Sequence, residues 1–369
     1  MTHVLRYGSP REAGLDPAGV ARIVPAARGH LLREGAGAYP GFVVLAARRG
    51  VVVVHEAGGS AVRFGGEDVA MRRDTVFDLA SLSKLFTAVV AVALAERGEL
   101  DLDAPVAAYL PGFPQAPGLT PRGLLTHTGG LPPVIDLAPY DGRDAVLAAI
   151  AGQPLTPGYA YSDLGLIALG ACCEAVAGRG LDALVAELIT GPLELADTGY
   201  RPPASLLPRV AATEAQPWTG RALVRGTVHD ENAHHLGGVA GHAGIFSTAH
   251  DLAVFTQTVL NGGAYGDRRV LSPASVREML RPQNGAQLGP EAARGLGWQL
   301  DQPGWMGELA SPTAFGHTGF TGTSVVADPA TGVLLVLLTN RVHPTRAQGV
   351  GHDYRRAPAR ELARAVLPL

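Results

Sequence analysis

The chain has 369 residues, 47% of them apolar and 17% charged, with a formal net charge of -3. That balance excludes a disordered chain, and the lack of a basic excess removes nucleic acid and anionic membranes as expected partners. At this length a well-buried core in two lobes is expected, acting on a small molecule or short peptide, with the oligomeric state left open.

The opening stretch Met1 to Pro10 has no apolar segment of the signal-peptide kind. Later apolar runs such as Leu85 to Ala95 are too short to span a bilayer, so a cytoplasmic location is expected. Residues 41–59 hold two β-rich runs joined at Arg48-Arg49-Gly50, a hairpin pattern. A short extended segment, Thr75 to Asp78, leads into the first of several stretches with apolar residues three and four apart. These are Leu82 to Arg97, Asp144 to Ala151, Leu164 to Val176 and Leu181 to Ile189, all predicted helices. The two cysteines, Cys172 and Cys173, are adjacent inside the third of them, poorly placed for an ordinary disulfide, and read as helix core. Residues 200–243 are rich in Pro, Gly and His without periodicity, as functional loops often are. The β pattern returns in Gly322 to Ala327 and Val333 to Thr339, and Tyr354 to Val366 reads as a closing helix with Pro358 near its first turn.

Strands at both ends with helices between them predict an α+β fold, an antiparallel β-sheet flanked by helices with an inserted all-helical lobe. Residues 1–78 and 241–369 are assigned to the sheet lobe and 79–240 to the mainly helical lobe, together one catalytic unit.

The chemistry centres on Lys84, the single lysine among 30 basic residues. Since arginine supplies all other positive charge, Lys84 is expected to do what arginine does not: lose its proton when desolvated or placed beside another cation, and act as a base. Ser81, one helical turn earlier, lies where an extended segment gives way to a helix, whose N-terminal N–H groups and dipole favour developing negative charge. The pair reads as nucleophile and base. A serine cap with a surface lysine is the plain alternative, because Ser-x-x-Lys alone recurs by chance.

Tyr161, in Pro157-Gly158-Tyr159-Ala160-Tyr161-Ser162-Asp163, precedes a helix and is placed to accept the serine proton, or else is a turn tyrosine with Asp163 as the helix N-cap. In Phe315-Gly316-His317-Thr318-Gly319-Phe320, the glycines let backbone run close to a ligand, and His317 is a candidate to carry or relay positive charge beside the lysine and tyrosine. The histidines of His229-Asp230-Glu231-Asn232-Ala233-His234-His235 lack metal-ligand spacing, so no metal and no cofactor are expected.

In this order and at these separations, Ser81-x-x-Lys84, Tyr161-Ser162-Asp163 and His317-Thr318-Gly319 resemble the serine β-lactamase and penicillin-binding-protein superfamily, in its class C β-lactamase, D-alanyl-D-alanine carboxypeptidase and type VIII esterase branch. The likeness extends through Leu125 to Pro132, Gly191 to Leu193 and Gly238 to Thr248. It implies the β-lactamase/transpeptidase-like fold and an acyl-enzyme serine hydrolase. Ser81 would be the nucleophile, Lys84 and Tyr161 would share acid–base work, and the N–H groups of Ser81 and Phe320 would form the oxyanion hole. His317, Thr318, Gly319 and Asp163 would border the substrate, with His317 where many relatives have lysine and His127 in a structural position.

Two residues depart from the β-lactamase pattern. Asp163 stands where asparagine would donate a hydrogen bond to the substrate's acyl-amide oxygen, and a carboxylate cannot donate it. Phe320 replaces a small residue and is expected to narrow or reshape the acyl pocket. Both favour an ester or D-amino-acid peptide over a β-lactam. The alternatives are acyl transfer on the same scaffold or a non-catalytic penicillin-binding sensor. An α/β-hydrolase is excluded by the absence of a Gly-x-Ser-x-Gly elbow.

Overall fold

The computed structural model describes residues 2–33, 36–347 and 351–367. Its centre is the strand Gly41–Arg48, buried along its whole length because its alternating side chains serve two cores. Val43, Leu45 and Ala47 enter one, and Phe42, Val44 and Ala46 enter the other. This strand pairs antiparallel with Val51–Phe64 across the Arg49-Gly50 turn and, on its other edge, with Val333–Thr339 from the far end of the chain. The sheet continues antiparallel through Ser324–Asp328, Phe315–Thr318 and Gln299–Leu300. Glu67–Ala70 adds antiparallel to Val51–Phe64, and Arg6–Tyr7 adds to the same strand in parallel. The sheet is thus built from both ends of the chain, as predicted, with one short parallel edge strand that two residues were too few to signal.

Helices Pro17–Arg28 and Asp353–Ala365 cover one face of the sheet. They approach so closely that a Cβ on Gly19 would stand 2.7 Å from that of Ala365. Pro358 is the sixth residue of its helix, in the second turn and later than expected.

The other face carries helix Ala249–Leu260 and then the helical region. Helix Ser83–Glu96 is buried from Ser83 to Leu94, the state of a helix that is apolar all round. Its Phe86 stacks on Phe255 with ring centroids 4.2 Å apart. Phe255 continues to Trp298 at 6.2 Å, and Trp298 meets Phe315 edge-on at 5.0 Å. This aromatic column joins the helix that follows Ser81 to the strand that carries His317, so burial of four rings sets the distance between the two motifs.

Around it lie Pro121–Leu125, Arg143–Ala151, Asp163–Ala177 and Leu181–Val185, the last widening into a π turn over Ala186–Thr190. Cys172 and Cys173 are free and fully buried in Asp163–Ala177. The extended entry to Ser81 is shorter than expected, a strand of Phe77–Asp78 held in a small sheet with Ile245–Ser247, which also pairs with Gly199–Tyr200. Residues 200–243 are mostly irregular, with short helical turns at Ala204–Arg209, Pro217–Thr219 and Glu231–His235. No single helix among the described residues is long and apolar enough to cross a membrane.

Candidate active site

Ser81 sits on a 3-10 turn, Ala80–Leu82, that runs directly into helix Ser83–Glu96. The turn is sharp enough to hold Ala80 at φ +48°, a left-handed conformation that a non-glycine residue adopts only under constraint. The constraint is visible. The buried Asp78 carboxylate accepts from the N–H of Ala80 at 2.8 Å and from that of His229 at 2.6 Å. From the third motif, Thr321 and Thr323 donate their hydroxyls to the carbonyls of Asp78 and Leu79 at 2.8 and 2.9 Å. Gly319 makes this closeness possible, since a Cβ there would lie 2.4 Å from the Leu79 oxygen.

Lys84 is 1% exposed, and its Nζ is 2.9 Å from Ser81 Oγ, 3.1 Å from the carbonyl oxygen of His242 and 2.7 Å from Asp163 Oδ1. Its Nζ also lies 5.0 Å from the centre of the Tyr161 ring. Burial alone pushes this amine down, as the sequence reading expects. The Asp163 carboxylate and the Tyr161 phenol outweigh it, however, and hold Lys84 well above the usual lysine range. The expectation of a neutral lysine base is therefore corrected: resting Lys84 is an ammonium, because the partner opposite is an acid and not a second cation.

Asp163 is free to pair because it is not the helix cap. Ser162 is, its hydroxyl accepting from the Gly165 N–H at 3.0 Å and donating to the Pro132 carbonyl at 2.7 Å. The N–H of Ser162 donates in turn to His127 Nδ1 at 3.0 Å, and the His127 ring lies 4.5 Å from that of Tyr161. His127 thus orients the tyrosine loop.

His317 is 1% exposed, 6.1 Å from the Tyr161 ring between centroids, and its Nδ1 is 2.8 Å from the Thr318 carbonyl oxygen. Because a carbonyl only accepts, Nδ1 carries the proton and Nε2 is a bare acceptor. Burial, then the charges of Arg294 and Lys84, push the imidazole well below its ordinary range. His317 is neutral, which corrects the expectation that it carries positive charge.

Phe320 is 49% exposed and lines the rim of the cleft that Ser81 borders. Its ring stacks on His229 at 5.7 Å, with the guanidinium carbons of Arg341 and Arg346 at 5.1 and 5.5 Å.

Beneath it, residues of the histidine-rich segment pair with neighbouring side chains. His229 Nε2 lies 2.9 Å from Glu214, which also accepts from Arg346 Nε at 2.6 Å, while His242 Nε2 lies 2.8 Å from Asp230. Burial raises Glu214, but His229 and Arg346 hold it at about 2. A carboxyl depressed in the folded state contributes stability that is present above its unfolded value and lost as pH falls toward the folded one. Between about pH 5 and pH 3, on the order of 2 kcal/mol should be lost from this group. Glu214→Gln should accordingly flatten the fall in thermal midpoint across that interval; an unchanged slope would exclude Glu214 as its source.

Ser81, Tyr161, Thr318, Gly319 and Phe320 border one cleft of about 770 Å³, with Tyr159, Arg294, Trp305 and Arg355. Arg294 was not singled out from the sequence. Its available signal was Arg294-Gly295-Leu296-Gly297-Trp298: a Cβ on Gly295 would fall 1.9 Å from the Met279 oxygen, and Gly297 has φ +82°, so the chain doubles back tightly there. The site has the parts for acyl transfer: a serine hydroxyl touching an ammonium, a neighbouring phenol, and a glycine turn pressed against the serine's own turn. Among the described residues no group of His, Cys, Asp and Glu is placed to hold a metal ion.

The family model described as Beta-lactamase matches residues 26–359. Over 92% of its length the chain is 34% identical to an Escherichia coli O157:H7 protein named "Putative D-alanyl-D-alanine carboxypeptidase", covering 86% of it. The counterpart in strain K12 is 33% identical over the same shares. A penicillin-binding protein homologue from Caulobacter crescentus superimposes with a TM-score of 0.74 at 26% identity, over 96% of this chain and 99% of that one. A family VIII carboxylesterase shares the fold, with a TM-score of 0.72 at 24% identity over the same shares.

Proposed function

We infer that this chain, which belongs to the beta-lactamase family of serine hydrolases, hydrolyses a small ester or a D-amino-acid peptide through an acyl-enzyme at Ser81. The observation that carries this reading is the 2.9 Å contact between Ser81 Oγ and a buried Lys84, at the border of a cleft that Tyr161 also lines. With Lys84 held as an ammonium, the proton acceptor in this reading is Tyr161 as its phenolate: the phenolate oxygen takes the Ser81 proton and becomes the neutral phenol as Oγ bonds to the substrate carbonyl carbon. The Ser81 and Phe320 N–H groups receive the oxyanion. Tyr161 returns the proton to the leaving alcohol or amine as its bond to the carbonyl carbon breaks. Water then repeats the sequence in reverse, giving Tyr161 a proton, releasing the acid and restoring Ser81.

Asp163 supports placing β-lactams last. Its carboxylate is engaged by Lys84 at 2.7 Å and has no N–H to offer an acyl amide. The cleft runs on from Ser81 to Trp305 and Tyr354, with room for an alcohol or amine in place of water, which favours acyl transfer as the second reading.

Mass spectrometry of the intact protein and of its Ser81 peptide tests this, after brief exposure to a fluorophosphonate, a short-chain p-nitrophenyl ester or a penicillin. A stable phosphonate and a transient acyl adduct on Ser81 are expected, with little from penicillin. Folded protein that carries no adduct at Ser81 from any probe would rule the hydrolase reading out.

A further inference from the structure

Arg294 is a buried guanidinium without an acidic partner. It is 5% exposed, and no carboxylate among the described residues forms an ion pair with it. Its Nε and Nη2 both donate to the hydroxyl of Tyr159, at 3.1 and 2.6 Å, and its Nη1 is buried with no hydrogen-bond partner. Such a group is costly to bury, and a compensating negative charge is the ordinary remedy. The guanidinium carbon lies 5.6 Å from the centre of the Tyr161 ring, while Lys84 Nζ lies 5.0 Å from it. The other groups facing that ring are the buried imidazoles of His127 and His317 and, two residues along, Asp163, whose charge is opposed by Lys84.

We propose that Arg294 is a positioning residue for proton transfer at Tyr161: held by Tyr159, it supplies the second positive charge, beside Lys84, that stabilises the Tyr161 phenolate ready to take the Ser81 proton. The proposal rests on Ser81 as nucleophile and Tyr161 as proton acceptor. His317 does not fill this part, because its Nδ1 proton is committed to the Thr318 carbonyl and it turns a bare lone pair inward. His127 does not either, since its Nδ1 accepts from Ser162. Burial, then the positive charges of Arg294 and Lys84, push both imidazoles well below their ordinary range, so neither ring brings a positive charge to Tyr161.

The test is the rate at which a neutral fluorophosphonate labels Ser81, followed by intact mass from about pH 5 to pH 10 in the native protein, Arg294→Gln, Arg294→Lys and Tyr159→Phe. Arg294→Gln should slow labelling on the order of tenfold near neutrality and move the rising limb of the profile about one unit to higher pH. Lysine at that position should restore the limb. Tyr159→Phe, which frees the guanidinium, should move it the same way and carries the test if Arg294→Gln does not fold. A uniform loss with the limb unmoved would make Arg294 a brace for Tyr159 and overturn the proposal. So would a loss confined to the KM of a carboxylate-bearing ester, which would assign Arg294 to a substrate anion. If the native protein itself is not labelled at Ser81, the hydrolase reading fails first and the Arg294 proposal with it.

Discussion

Ser81→Ala and Lys84→Met should each reduce ester turnover by roughly 10⁴-fold, and the double variant should lose little more, because the two act as one unit. Ser81 places its hydroxyl 2.9 Å from the Lys84 ammonium, a contact that fixes the serine's rotamer. Lys84 in turn joins three elements at one nitrogen: the Ser81 turn, the His242 carbonyl and the Asp163 carboxylate. Lys84→Arg should do little better than methionine, since a planar guanidinium cannot reproduce three converging contacts around a compact point charge. Lys84→Met also leaves Asp163 without its cation beside a buried apolar chain, so its stability is to be measured alongside. A double variant that loses the product of the two single effects would show that serine and lysine act independently and would remove Lys84 from the machinery.

Exchanging Asp163 for asparagine should raise the ratio of amide to ester acylation rates by about tenfold or more, read as penicillin against p-nitrophenyl acetate on the same preparation. The substitution gives the site an N–H donor for an acyl amide and removes the carboxylate opposite Lys84. With that attraction gone, burial is no longer outweighed and the Lys84 amine should titrate lower than in the native protein. The sign of the linked stability follows. A lysine raised in the folded state contributes stability that is complete below its unfolded value and is lost only as pH rises through the folded one, so the native pair should persist into the alkaline range. Asp163→Asn should begin to lose stability at a lower alkaline pH. Asp163→Ala, which offers neither acceptor nor donor, should slow both substrate classes. If asparagine leaves the ratio where it was, Asp163 does not select the substrate, and β-lactams would have to be disfavoured by the shape of the cleft.

Much of this protein was legible in order and spacing. The runs from Leu82, Asp144 and Leu164 repeat at three and four and fold as helices within a residue or so of the predicted limits. The paired β runs at either end meet as neighbours, Gly41–Arg48 beside Val333–Thr339, because each is apolar on both faces and needs cover on both. The lone lysine three residues after Ser81 marks that pair in the sequence, since helical spacing alone puts the two on one face.

Charge state was not legible, and it decides the chemistry. Whether Lys84 is amine or ammonium depends on Asp163, 79 positions along the chain, being its partner and not a helix cap, and that turns on Ser162 taking the cap. Whether His317 is charged depends on burial and on Arg294 nearby, and Arg294 reaches the site only because Gly295 and Gly297 fold its loop back against Met279 and Ala88. Periodicity and motif order are local properties, written in neighbouring residues. Desolvation and Coulomb energies belong to whichever side chains the packed core brings within a few ångströms, and only the tertiary structure decides which those are.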